Sequence, residues 1–118
     1  CEPFDVRRFD SLDIRLPTNY LLKIDVDGKD LQVAKGFGDV ISKASVIVIE
    51  STFSSFVERS KFFLDSGFKL FDIIDLVYYG PSLYQMDLVF LRKDLVQDKN
   101  SPNIGNFKRD LWQPLDLD

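Results

Sequence analysis

Apolar residues fall into two strand-like runs and two helix-like stripes in the first half of the chain. Residues 20–26 predict a strand with apolar residues on both faces, and the uninterrupted run at 46–49 is typical of a central strand that is covered on both faces. Each is followed by apolar residues at helical spacing, over residues 31–41 and 56–64. The pattern therefore predicts a strand–helix–strand–helix order, which is typical of α/β folds.

Strands dominate the remainder of the predicted order. Residues 68–74 and 84–92 have the composition of strands, and residues 78–82 between them are expected to form a loop. The segment 6–12 fits a further short strand, whereas the chain from residue 97 onwards begins with polar residues and turn formers. The sequence thus predicts an α/β fold with mostly parallel strands and a terminal antiparallel strand.

Glycine and serine residues mark the predicted ends of these elements. Gly28 ends the first strand, and the Gly-Phe-Gly sequence at 36–38 interrupts the first helical stripe, where we expect the helix to kink or restart. Ser55 and Glu58 have the spacing of a capping box at the start of the second helix. Gly67 fits the C′ position that ends this helix.

The two faces of the sheet impose a further requirement. Right-handed crossovers that run in one direction place both helices on the same face of the sheet. The two central strands are nevertheless apolar on both faces, so another surface must cover the second face. The tail around Trp112, a preceding amino-terminal half of the domain, or a second copy of the chain in a homo-oligomer could supply that cover.

Composition excludes several classes of function. The formal net charge of −4 and the lack of a basic patch argue against nucleic acid and membranes as partners. No run has the length of a membrane span and no signal segment is visible, so we expect a cytoplasmic protein. The chain has no histidine, and Cys1 is its single cysteine, which excludes Ser-His-Asp and Cys-His nucleophiles. Acid–base chemistry must then come from Asp, Glu, Lys or Tyr, and we predict no metal site.

Asp25 and Asp27 are the first candidates for chemistry, because they follow the first strand directly and precede Gly28. In open α/β sheets, ligands bind in the crevice beyond the carboxyl ends of the strands. The Asp-Val-Asp-Gly sequence also fits a haloacid-dehalogenase-like phosphatase that uses both aspartates, although Lys29 replaces the threonine of that motif. Alternatively, Asp27 and Asp30 only cap the following helix.

Further acids lie on the neighbouring predicted strands. Glu50 ends the second strand and would lie beside Asp25 if the two strands are neighbours, where close carboxylates raise each other's pKa or share a cation. Alternatively, Glu50 accepts hydrogen bonds from the next helix. Asp87 lies between apolar residues of the last strand and needs a partner, for which Lys23 is a candidate.

The stretch around these acids resembles a known family. Residues 22–36 resemble the signature of FkbM-type methyltransferases, which read Lys-Ile-Asp-Val-Glu-Gly, then an acid two residues later and an apolar helix that ends in Leu-Lys-Gly. Asp27 replaces the usual glutamate of this signature, and Ala34 replaces the usual leucine. Further similar segments are residues 10–13, 46–50, 64–71 and 85–90. The resemblance covers about residues 6–92.

The resemblance implies that residues 1–96 form the carboxyl-terminal half of a Rossmann-like methyltransferase domain, with the helices chiefly on one face and residues 97–118 as a polar linker and docking tail. Such enzymes transfer a methyl group from S-adenosylmethionine to a hydroxyl of a small molecule or glycan. The predicted site comprises Asp25 and Asp27 as catalytic residues and Gly28, Asp30 and Glu50 as substrate-binding residues.

The resemblance also implies that the cofactor-binding loop of this family does not lie within this sequence. The glycine-rich loop that holds S-adenosylmethionine in this family would precede Cys1, so no cofactor-binding residues are assigned. The alternative from another class of function is a non-catalytic half-domain that acts as an assembly module.

Overall fold

The computed structural model describes residues 7–96 and shows a mixed α/β fold. Within this range, one sheet is formed by β1 (Tyr20–Ile24), β2 (Ala44–Thr52), β3 (Phe68–Tyr79) and β4 (Ser82–Arg92). The helices of this range are α1 (Asp30–Gly36), α2 (Phe56–Asp65) and the short 3₁₀ helices Phe9–Ser11, Gly38–Lys43 and Lys93–Leu95. The predicted order of strands and helices from β1 to β4 is confirmed. The predicted docking tail lies outside the described residues.

The strand order in the sheet is β1–β2–β4–β3. β1 and β2 are parallel, whereas β4 pairs antiparallel with both β2 and β3. The prediction of mostly parallel strands is therefore wrong for the pairings, although β1, β2 and β3 all run in one direction. The reason is the position of β4, which lies inside the sheet, where Met86, Leu88 and Phe90 are buried. The apolar pattern indicated this burial but did not indicate which strands would flank β4.

One face of the sheet contributes to the hydrophobic core. Ile47 and Ile49 of β2 are fully buried and belong to the same cluster as Ala34 of α1 and Phe63 of α2. The Phe63 ring contacts Phe90 of β4, with 4.9 Å between the ring centroids. Large buried rings of this kind supply much of the free energy that stabilises a small domain. None of the helices in residues 7–96 is long and apolar enough to cross a lipid bilayer.

The opposite face of the sheet is less well covered. Paired residues point to the same face, so the strand register defines an apolar surface that we call the open face: Leu21, Val46, Val48, Val89 and Leu91. Leu21 has 64% of its surface exposed, and the four other residues are half-buried. The described part of the chain therefore leaves an apolar strip in contact with solvent.

The segment before β1 does not form the predicted strand. Within residues 7–12, the chain forms the 3₁₀ helix Phe9–Ser11, and the Phe9 ring stacks on Phe37 with 4.2 Å between centroids. Asp10 lies so close to Gly38 that a Cβ at that glycine would be 2.5 Å from its Oδ2 atom. The Phe9 ring therefore packs against the end of α1. Residues 7–12 pair with no strand of the described sheet.

The predicted ends of the helices are mostly confirmed. α1 ends at Gly36 and a 3₁₀ helix begins at Gly38, which is the expected restart. α2 ends before Gly67, which has a φ of +95° that favours glycine. The capping box is wrong, because the Ser55 hydroxyl accepts a hydrogen bond from the Thr52 amide at 3.0 Å and makes no cap to the helix. The turn before α2 competes successfully for this hydroxyl.

The β3–β4 hairpin is longer than predicted. β3 continues to Tyr79 and β4 begins at Ser82, so only Gly80 and Pro81 form the turn, and the predicted loop is wrong. Tyrosine and β-branched residues favour strand structure, and they extend the ladder on both sides of this turn. Most of β3 is exposed beyond Lys69, because it lies at the edge of the described sheet.

Replacing Ser60 with alanine should stabilise the protein. Ser60 is buried in α2, and its Oγ has no hydrogen-bond partner in the described part of the chain. Removing this hydroxyl should raise the free energy of unfolding by about 1 kcal/mol, measured by urea denaturation. Ser66→Ala is the control, because the Ser66 hydroxyl donates to the Phe62 carbonyl at 2.6 Å and its loss should not stabilise the protein. Equal changes in the two variants would contradict this explanation.

Candidate functional site

The loop between β1 and α1 carries the first predicted site residues. β1 ends at Ile24, and Asp25 and Asp27 follow it with exposed side chains. Asp27 has a φ of +44° and Gly28 a φ of +85°, so the backbone turns sharply here. A side chain at position 28 would be strained in this conformation, which explains the glycine. The two aspartates are therefore accessible from solvent at the carboxyl end of the strand.

Asp30, the first residue of α1, lies beneath this loop. Its side chain is 1% exposed. The Val26 amide donates to its Oδ1 at 3.3 Å, and the Gly28 amide donates to its Oδ2 at 3.2 Å. The carboxylate thus fixes the backbone between Asp25 and α1. Unlike the side chains of Asp25 and Asp27, it is not accessible to solvent.

Arg59 connects Asp30 with the backbone of β2. This buried residue of α2 places Nη2 3.2 Å from Asp30 Oδ2, and its Nη1 donates to the Glu50 carbonyl oxygen. One guanidinium group therefore contacts both the carboxylate that fixes the loop after β1 and the β2 backbone at Glu50. The planar fork of arginine suits two acceptors better than a lysine would.

Sequence reasoning did not identify Arg59. A signal was present, because Arg59 lies between Phe56 and Phe63 at helical spacing and so occupies the apolar stripe of α2. A charged residue on the buried face of a helix requires a partner of opposite charge. Asp30 was the partner, but it was interpreted as a substrate-binding or capping residue.

Three acids lie side by side across β1, β2 and β4, and we call them the acid row: Asp25, Glu50 and Asp87. The prediction that Glu50 ends the second strand is wrong, because β2 continues to Thr52 in its pairing with β4. Glu50 and Asp87 are directly opposite each other in the β2–β4 pairing. Ile24 and Ile49 form the last pair of β1 and β2, so Asp25 and Glu50 follow side by side. The predicted contact between Asp25 and Glu50 required β1 and β2 to be neighbours, and they are paired in the sheet.

Glu50 and Asp87 of the acid row both have raised pKa values. Burial raises the pKa of the Glu50 carboxyl, and the charges of Asp25, Asp30 and Asp87 raise it further. Burial also raises the pKa of Asp87, while the positive charge of Lys23 acts in the opposite direction. These carboxyls therefore hold protons at higher pH than ordinary surface acids, and in the charged form they can accept hydrogen bonds from a ligand hydroxyl.

Other features of the described residues do not extend this site. No three acidic or sulfur side chains among residues 7–96 are grouped closely enough to hold a metal ion. A groove of about 670 Å³ lies between the first residues of the described chain and α1, beside Lys29, Val33 and Phe37. Its lining does not include the acid row or Asp27.

Comparison with known proteins gives no assignment. No family model, no curated protein and no solved structure matches this chain.

Replacing Glu50 with glutamine should stabilise the protein at neutral pH. Because the folded-state pKa of Glu50 is raised, deprotonation destabilises the fold as pH rises through its ordinary and raised values. Glu50→Gln should therefore raise the free energy of unfolding at pH 7, by no more than about 1 kcal/mol for a partly solvated group. The gain should vanish near pH 3, where both states are protonated, as measured by urea denaturation across this range.

Glu58→Gln provides the matched control. Glu58 is exposed in the first turn of α2, where a negative charge interacts favourably with the helix dipole. Its loss should leave stability unchanged or slightly lower at pH 7. A gain in Glu58→Gln equal to that in Glu50→Gln would show that net charge, rather than the acid row, determines the effect.

Proposed function

We propose that this chain forms the acceptor-binding part of an S-adenosylmethionine-dependent methyltransferase that acts on a hydroxyl of a small molecule or glycan. The observation that carries this proposal is the exposed pair of Asp25 and Asp27 at the carboxyl end of β1, with Glu50 of the neighbouring strand β2 beside Asp25. This is the edge of an open α/β sheet at which ligands bind. In this proposal the protein is cytoplasmic.

The acids have the chemistry that a hydroxyl acceptor requires. An ionised carboxylate accepts hydrogen bonds only, so Asp25 can orient a hydroxyl and take its proton as the oxygen becomes a nucleophile. Asp27 lies two residues away in a turn and can bind a second hydroxyl of a glycan or polyol. Glu50 adds a carboxyl that is protonated more readily and can also donate. Correct orientation of the acceptor supplies much of the rate of such reactions.

The cofactor itself does not fit the described residues. S-adenosylmethionine supplies an electrophilic methyl group when it is bound, and Rossmann-like enzymes hold it at a glycine-rich loop that follows a strand. Among residues 7–96, the Gly-Phe-Gly sequence at 36–38 lies between α1 and a 3₁₀ helix, not after a strand. We therefore assign no cofactor contact to residues 7–96 and propose that S-adenosylmethionine binds to another polypeptide surface.

The open face supports the proposal of a half-sheet. Its apolar strip includes Leu21, which is 64% exposed at the edge strand β1. The core residues of α1, α2 and the sheet lie together on the other face, which agrees with a Rossmann-like half with its helices on one side. We infer that either an amino-terminal half of the same domain or a second copy of the chain covers the open face.

Asp25→Asn should abolish most methyl transfer in the protein expressed from its complete reading frame. Loss of the proton acceptor should lower kcat/KM by roughly 100-fold, the usual minimum for a general base. Transfer of a radiolabelled methyl group from S-adenosylmethionine to a panel of sugars, glycans and small alcohols measures it. Asp39→Asn is the control, because Asp39 is exposed in the 3₁₀ helix Gly38–Lys43, outside the acid row.

Three results would contradict the proposal. The first is no methyl transfer to any hydroxyl by the complete protein. The second is equal activity of the Asp25→Asn and Asp39→Asn variants. The third is magnesium-dependent hydrolysis of a phosphate ester that disappears in Asp25→Asn, which would favour the dehalogenase-like alternative. Tight binding of S-adenosylmethionine to the 118-residue chain in calorimetry would show that the cofactor was assigned to the wrong surface.

Leu21→Lys should reduce association through the open face. In the 118-residue chain, an uncovered apolar strip should drive self-association that sedimentation velocity detects. A lysine at position 21 places a charge in the strip and should shift the distribution towards monomer. Val57→Lys is the control, because Val57 is 74% exposed on α2, outside the open face. A wild-type chain that is monomeric at all concentrations, or an equal shift in both variants, would exclude a second copy as the cover.

A further inference from the structure

The geometry points to Arg59 as a positioning residue that acts through Asp30 to hold the loop after β1 in a fixed position relative to Glu50 of β2. This inference rests on the proposed function, since it concerns the backbone that presents Asp25, Asp27 and Glu50. Arg59 touches neither Asp25 nor Asp27 in the described contacts, so its effect on them passes through the Asp30 carboxylate.

Two sets of contacts meet at this ion pair. On one side, Asp30 accepts hydrogen bonds from the Val26 and Gly28 amides, at 3.3 Å and 3.2 Å. These amides flank Asp27, so the carboxylate determines the path of the loop on which Asp27 lies. On the other side, Arg59 donates to the Glu50 carbonyl oxygen and thereby contacts the backbone that carries the Glu50 side chain.

The location of the pair explains why it acts on position as well as on stability. Arg59 and Asp30 are both buried, and buried ion pairs are weak evidence for stability because apolar residues of similar volume often replace them without loss. The hydrogen bonds that the pair makes to the loop, in contrast, have no apolar substitute. An apolar pair could fill the same volume, but it could not bind the amides of Val26 and Gly28. The fork of Arg59 can reach two acceptors at once, which a single ammonium group does less well.

Amide hydrogen exchange tests this inference without any methyl acceptor. In the Arg59→Lys variant of the 118-residue chain, the Val26 and Gly28 amides should exchange at least roughly tenfold faster than in the wild type, because the carboxylate that binds them loses its fixed partner. The Ile49 amide of β2 should change much less, since it opens only with the core. Two-dimensional NMR resolves the three amides in one experiment.

Phe63→Leu is the matched control for a purely structural effect. Phe63 lies on the same helix and is fully buried in the core, but its ring packs on Phe68 and Phe90 and donates no hydrogen bond to the β1–α1 loop. This variant should speed exchange of the Ile49 amide through global unfolding. A similar pattern in Arg59→Lys, or an unchanged rate for Val26 and Gly28, would overturn the positioning role.

A double variant keeps the inference testable if the single variants do not fold. Asp30→Leu combined with Arg59→Met removes both charges and leaves no unpaired buried ion, so the core should form. The Val26 and Gly28 amides should nevertheless exchange rapidly. Protection equal to that of the wild type would show that the turn holds its own shape and would refute the role of the pair. Failure of methyl transfer with these exchange results intact would refute only the proposed reaction.

Discussion

The arrangement of the site depends on one buried ion pair, between Asp30 and Arg59. A carboxylate that is 1% exposed is costly to bury unless its oxygens are hydrogen-bonded. Here the two oxygens receive the amides of Val26 and Gly28 together with the guanidinium of Arg59. The same contacts that satisfy the buried charge determine where the β1–α1 loop can lie. The position of the loop is therefore a direct consequence of the requirement to pair a charge in the core.

This constraint makes the acid row possible. Carboxylates on adjacent strands repel each other, and burial raises the pKa of both Glu50 and Asp87. If the backbone that carries the acid row were mobile, the three carboxylates would move apart to relieve this repulsion. The backbones of β2 and β4 are held by their ladder, and the end of β1 is held from below by Asp30. The fold therefore keeps the acids together at some cost in stability, as binding and catalytic sites commonly do.

Sequence reasoning succeeded where a signal is local and failed where it depends on a distant partner. The apolar runs located β1 and β2, and the turn at Gly28 required only that residue's conformational freedom. The helical spacing around Arg59 indicates that this residue needs a partner, but no local pattern identifies Asp30, which lies 29 positions earlier in the chain, as that partner. Phe9 illustrates the same limit, because its segment forms a 3₁₀ helix and its ring stacks on Phe37, which lies 28 positions later in the chain. A resemblance to one motif could place Asp30 near the site, but it could not show which way the side chain points.

The insertion of β4 is the second long-range event on which the site depends. If β3 had paired with β2 directly, the position opposite Glu50 would belong to β3. Instead the chain turns at Gly80 and Pro81, and β4 runs back between β2 and β3. Asp87, in the middle of β4, thereby lies directly opposite Glu50 of β2. An acid that the sequence places between apolar residues of a strand therefore lies beside another acid, and β4 completes the acid row that Asp25 and Glu50 begin.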